Sequence, residues 1–299
     1  MPRFAPLSLS TLALTLAACG GQPDPAVAEK AAAAQEKAAA VEEKAAAAAE
    51  QPMTTNGLSE AEFKALHVLK EGQAPVLKGQ MVEIGGGQHY LSLPEGGQPP
   101  LAAVIVIHEW WGLNANIKHW SDRLAAEGYA ALAVDLYAGK TATTPDVAMA
   151  TMKAVDAAKA TATLKAAAQW LDGDARIAAK RTGVIGWCFG GAWSLQAGLN
   201  VEGLDAVVMY YGRTVTEADA LAGLDAPLLG IFANQDGHIS NESVDAFEAA
   251  LKTAGKTATI HRYDAKHAFA NPSSAVYAAE PAADAWEKVS KFLAQHLAQ

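Results

Sequence analysis

The chain is expected to fold as an α/β domain, a mostly parallel sheet sandwiched by helices, and three observations point there. Short apolar segments alternate along it with segments of helical composition. The central ones are apolar without a break, as in Val104-Ile105-Val106-Ile107, which suits strands buried on both faces. Side chains able to do chemistry follow directly behind these segments, at the carboxyl ends where such sheets gather their sites.

In order, residues 81–84 and 90–93 read as a hairpin around Gly85-Gly86-Gly87, which is no phosphate loop because no Lys-Ser or Lys-Thr pair follows. Strands are expected at 101–107, 129–136, 183–186, 204–210, 226–233 and 257–263. Helices are expected at 117–127, 145–171, 192–198, 240–254 and 281–298. The folded part is placed at 57–299, roughly 240 residues and enough for one full core.

The residues ahead of it read differently. Residues 1–18 have the build of a secretory signal: Arg3, an apolar core over 7–16, then small residues. That core is too short to span a bilayer as a mature helix. Leu16-Ala17-Ala18-Cys19-Gly20 resembles a bacterial lipobox, which implies lipidation of Cys19 and an extracytoplasmic protein anchored to a bacterial membrane. Gly20 leans towards the outer membrane where the host is Gram-negative. Cleavage as an ordinary signal peptide stays open. Within 19–56, Glu29-Lys30, Glu36-Lys37 and Glu43-Lys44 each precede three alanines, at a spacing of seven. These are strong helix formers without large apolar seam residues, so a semi-rigid tether is expected and an oligomerising helix is the alternative. A monomer is favoured.

The formal net charge of −9 argues against nucleic-acid binding, which calls for a basic footprint. With two cysteines, Cys19 and Cys188, there is no disulfide scaffold. With Cys19 lipidated, Cys188 stays a thiol outside the cytoplasm, where it needs a reason to be kept.

That reason is offered by Gly186-Trp187-Cys188-Phe189-Gly190-Gly191, a G-x-nucleophile-x-G pattern with cysteine in the usual place of serine. It lies between an expected strand and an expected helix, the context of a nucleophile elbow. Glycines suit the tight turn, and a helix N-terminus favours a thiolate. A plain glycine-rich turn holding a buried cysteine is the alternative. Asp236 and His267 follow later strands, giving the order nucleophile, acid, histidine of the α/β-hydrolase fold. His238 competes for the base role and Asp264 for the acid. His108-Glu109 opens like a zinc-protease motif, but Gly112 stands where the second histidine belongs, so no metal is expected. No cofactor is expected either.

Three segments together resemble the dienelactone hydrolase family: Val106-Ile107-His108-Glu109-Trp110-Trp111-Gly112-Leu113-Asn114, then the elbow, then Lys266-His267-Ala268-Phe269. Asp135-Leu136-Tyr137 also fits the family's pattern, and the likeness spans about residues 80 to 298. The resemblance implies an α/β-hydrolase that cleaves small carboxylic esters or lactones through an acyl-cysteine. It assigns Cys188 as nucleophile, His267 as general base and then acid, and Asp236 as the residue orienting the imidazole. Backbone N–H groups of Phe189 and near Trp110 would form the oxyanion hole, and Glu109 would interact with the resting thiol. Trp111, Tyr137, Tyr211 and Asn271 are candidate pocket residues. The family's two substrate-binding arginines fall at Gly139 and Asn271, so a neutral or differently charged ester, lactone or thioester is expected rather than dienelactone. Lys140 and Arg213 are other sources of positive charge that the sequence does not place. A thioesterase or acyltransferase on the same site, or a non-catalytic envelope binding module, remain alternatives.

Overall fold

The structure is a computed structural model that describes residues 69–70 and 76–298. The signal, Cys19 and the alanine-rich tether lie outside the described residues. The described part holds an eight-stranded sheet of order β1-β2-β4-β3-β5-β6-β7-β8. Its strands are β1 (Gln80–Ile84), β2 (Gly87–Ser92), β3 (Ala103–Ile107), β4 (Ala130–Val134), β5 (Thr182–Trp187), β6 (Ala206–Tyr210), β7 (Leu228–Ala233) and β8 (Ala258–Tyr263). The β1–β2 and β2–β4 pairs are antiparallel and all others parallel.

Every residue of β3, β4, β6 and β7 is buried, as their unbroken apolar sequences require. The outer strands β1 and β8 keep polar, partly exposed residues, as edges do. Gly85 and Gly86 turn the hairpin at φ 60° and 80°, which side chains resist. Gly87 therefore already belongs to β2, three residues earlier than expected.

The helices are α1 (Ala115–Ala126), α2 (Pro145–Lys153), α3 (Ala157–Gly173), α4 (Phe189–Asn200), α5 (Asn241–Thr253) and α6 (Ala279–Leu297), with a short 3-10 turn at Ala218–Leu221. One face of the sheet packs against α3, α4 and α5 through Leu164, Leu195 and Phe247. The other packs against α1 and α6 through Ile117, Trp120, Trp286 and Leu293. On α6 the buried residues Ala282, Trp286, Val289, Leu293 and Leu297 recur at helical spacing, one stripe laid on the sheet.

The single helix expected over 145–171 is two. The first ends at Lys153 with Ala154 as its cap, and Asp156 caps the start of the second, its carboxylate accepting the Lys159 N–H at 2.9 Å. A high alanine content hides such a break, because alanine favours helix on both sides of it. The helix expected from residue 192 starts at Phe189, directly behind the cysteine.

Chain order and sheet order diverge at β3: β4 lies on one side of it and β5 on the other. That switch point opens a crevice beyond the carboxyl ends of β3 and β5. These strands carry Glu109 and Cys188.

Candidate active site

The elbow comes first, because its backbone is costly. Cys188 adopts φ 55°, ψ −115°, a region that L-residues avoid. The surrounding packing enforces it. Cys188 N–H donates to Tyr210 O at 3.0 Å, and a Cβ on Gly190 would lie 2.3 Å from the Ile107 carbonyl oxygen. Only glycine lets α4 start this close to β3. Phe189 is the first residue of α4, so its N–H belongs to the turn that has no intrahelical acceptor and is available to an anion beside the thiol. Among the described residues five non-glycines have positive φ, and Cys188, Ala138, Tyr211 and Ala268 sit at the carboxyl rim of the sheet. Strain is concentrated where the chemistry-bearing side chains are.

Behind β7, Asp236 accepts three hydrogen bonds. His267 Nδ1 lies 2.7 Å from its Oδ2, while the His238 and Ile239 N–H groups reach Oδ1 at 2.7 and 3.0 Å. Burial alone would raise this carboxyl, but His267 and the two N–H groups hold it below its usual value. For His267 burial opposes the charged ring, yet the charges of Asp236 and Cys188, with hydrogen bonds to both, hold the imidazole well above its usual value. The structure thus links Cys188, His267 and Asp236 in one chain of contacts.

His238 belongs to the acid's support rather than to the base position. Its ring lies 5.9 Å from that of His267, and burial, then the charge of His267, push it down to about 4. Asp264 faces outward, accepting from Gln235 Nε2 at 2.7 Å. Arg213 is partly buried, its charge felt by His238. Lys140 is exposed.

From β3, a buried His108 bridges two loops. Its Nε2 accepts from Leu136 N–H at 3.1 Å, so Nδ1 carries the proton and donates to Glu109 O at 2.6 Å. Burial lowers its pKa and keeps the ring neutral. The Asp135 carboxylate accepts from Tyr137 N–H at 2.7 Å and from Gly139 N–H, which shapes the loop carrying Tyr137. The position of one family arginine, Gly139, is thus an exposed turn held by Asp135.

Glu109 is buried beside the thiol. Burial raises its carboxyl to about 7, although the charge of His267 and a hydrogen bond from Asn271 pull the other way. Asn271 Nδ2 donates to Glu109 Oε2 at 2.6 Å. The other end of that amide is also committed: Oδ1 accepts from Asn116 Nδ2 at 3.1 Å and from Ser273 N–H and Oγ at 2.8 and 2.6 Å. Asn271, expected among the pocket residues, does line the cavity, but its polar atoms are taken up in holding Glu109.

Cys188, Glu109, Trp110, Trp111 and Asn271 share the wall of one cavity. Tyr137 and Tyr211 stand behind it. The Tyr211 ring lies tilted 5.0 Å from that of His267, and Tyr137 packs 4.5 Å from His108 and 5.3 Å from Phe189. Both hydroxyls are buried without a hydrogen-bond partner among the described residues. Such orphaned donors are costly. Sequence reasoning missed Leu69, Ala268 and Ser274, which complete the wall, and Asn116, which orients Asn271. The motif His267-Ala268 held a signal for one of them. Nothing local singled out Leu69.

No cluster of His, Cys, Asp and Glu among the described residues could hold a metal ion. No described helix is long and apolar enough to cross a membrane.

Comparison with known proteins agrees with this arrangement. Protein usf of Aquifex pyrophilus is 35% identical over 233 residues, spanning 73% of this chain and 99% of its own. A relative from Escherichia coli K12, named for carboxymethylenebutenolidase, is 32% identical over 69% of this chain and 82% of its own. The crystal structure of a Klebsiella pneumoniae protein, named for dienelactone hydrolase, superposes with a TM-score of 0.66 at 30% identity, over 74% of this chain and 98% of that one. The dienelactone hydrolase family matches residues 88–297, and with the sheet, the elbow and the His267 site on one crevice, the chain belongs to that family.

Proposed function

We propose that this ester- and lactone-type hydrolase works through Cys188 as nucleophile, His267 as general base and Asp236 as the group that orients the ring. The observation that carries the reading is the Asp236–His267 contact of 2.7 Å on a histidine that also interacts with Cys188. In the first step the Cys188 sulfur attacks the carbonyl carbon, and the thiol proton resides on His267 Nε2. The carbonyl oxygen gains charge beside the Phe189 N–H at the start of α4. Collapse expels the alcohol, which takes its proton from His267 and leaves an acyl-cysteine. Water then gives a proton to His267, its oxygen attacks the acyl carbon, and the carboxylic acid departs as the thiol reforms.

Substrate is read from what the site lacks. Gly139 is exposed and Asn271 is committed to Glu109, so neither offers a cation to a substrate carboxylate. The apolar Trp110 and Trp111 faces in the cavity wall suit a small neutral ester or lactone. A panel of aryl acetates, neutral lactones, dienelactone and a thioester, run with the wild type and with Cys188→Ala, tests both points. Hydrolysis of a neutral substrate lost by about 10⁴ or more in the variant is expected. Turnover unchanged in Cys188→Ala overturns the nucleophile, and dienelactone as best substrate overturns the substrate class.

The lipobox-like run at Cys19 supports an extracytoplasmic location on a lipid anchor, with two or more acyl chains at about 0.8 kcal/mol per buried CH₂. Cys19→Ser is expected to move the protein from the membrane fraction to the soluble one with its turnover intact. Persistent membrane association overturns the anchor.

A further inference from the structure

The cavity beside the Cys188 thiol measures about 10 Å³, about the room of one water molecule. Its wall has two sources. Glu109, Trp110, Trp111, Ala268, Asn271 and Ser274 come from the family-matched region, residues 88–297. Leu69 does not: it precedes the first strand and lies outside that region. It is fastened there. Leu69 forms an antiparallel bridge with Ser274, the next residue's N–H donates to Ser273 O at 2.7 Å, and the Lys70 ammonium lies 5.6 Å over the Tyr277 ring. The Leu69 side chain packs on the apolar cluster of Trp110, Trp111 and Met149.

We infer that Leu69 is a specificity-determining residue: supplied from outside the family-matched region, it closes the apolar end of the thiol pocket and limits the substrate to small acyl groups. The polar part of the wall, Glu109 with Asn271, is fixed by hydrogen bonds and cannot yield without leaving a buried carboxyl unsatisfied. A longer acyl chain therefore presses on the apolar part of the wall, where Leu69 is the residue supplied from outside the family-matched region. The inference rests on the cysteine-hydrolase reading, and its test is built so that the two fail separately.

The full chain would be compared with Leu69→Ala, Leu69→Trp and Lys70→Pro. The last removes the N–H that fastens the segment while keeping residue 69 extended. Two ratios are read. One is kcat/KM for the p-nitrophenyl octanoate over the acetate. The other is the rate of Cys188 labelling by N-phenylmaleimide over iodoacetamide, located by peptide mass. A pocket contact of this kind is worth about 10–200-fold in discrimination. Both ratios are expected to rise about tenfold or more in Leu69→Ala and Lys70→Pro and to fall in Leu69→Trp. Ratios equal to wild type in all three overturn the inference. If no form hydrolyses any ester while the labelling ratio shifts as expected, the wall stands and the hydrolase reading falls. If hydrolysis is strong and neither ratio moves, the reverse holds.

Discussion

Two buried carboxyls, Asp236 behind His267 and Glu109 in the cavity wall, each accept a short hydrogen bond, and the fold tunes them in opposite directions. Asp236 meets His267 at 2.7 Å and is held below its usual value; Glu109 meets Asn271 at 2.6 Å and is raised to about 7. Distance does not separate them; the partners do. Asp236 has a cationic ring in contact and two backbone N–H groups, enough to outweigh burial. Glu109 has one neutral amide and the same ring further off, and burial wins. A pair of carboxyls driven apart in this way separates a permanent anion from a group that titrates at working pH. Asp236 can hold a proton on His267 throughout, while Glu109 changes charge near neutrality.

The largest expected effect breaks the first half of that comparison. Asp236→Asn keeps the shape and removes the anion, so the imidazole loses its tautomer and its stabilised cation. Hydrolysis should fall by about 10³–10⁴ in kcat. A loss below tenfold would show that the acid is elsewhere.

Next, the Glu109 side can be moved without touching the other. Ionised Glu109 favours the protonated His267 that accompanies a thiolate, so kcat/KM should rise through a limb near pH 7. Asn271→Leu should push that limb up by about one unit by removing the amide, and Asn271→Lys should pull it down by about as much. The pH profiles of both variants check this. A limb that stays put in both would detach it from Glu109.

The smallest effect is on stability, and its sign follows from proton counts. A carboxyl raised from 4.5 to about 7 by folding binds more protons folded than unfolded between those values. Stability therefore declines as pH rises through that window, and the loss persists above it. Glu109→Gln should cancel the decline, gaining about 1–3 kcal/mol at pH 8 and little at pH 4. Denaturant midpoints at the two pH values measure it; an equal change at both would contradict the linkage.

The amino-acid sequence by itself determined the sheet, because strands such as Ala103–Ile107 are buried on both faces and only an apolar run survives there. It also determined the elbow and the positions of Asp236 and His267 along the chain, since strand ends in such a sheet are where loops gather and local patterns mark them. It misread what depended on local competition: the break before Asp156, and helix α4 starting at Phe189, directly behind the cysteine, rather than at residue 192. What only the tertiary structure decided are the partners. That Asn271 is spent on Glu109, 162 residues away, and that Leu69 reaches the thiol pocket by pairing with Ser274 are contacts between distant segments, with no period or motif to announce them. The charges of the two carboxyls followed suit. Their side-chain chemistry is nearly the same, and what sets them apart is the neighbour that folding places within hydrogen-bonding distance of each buried carboxyl.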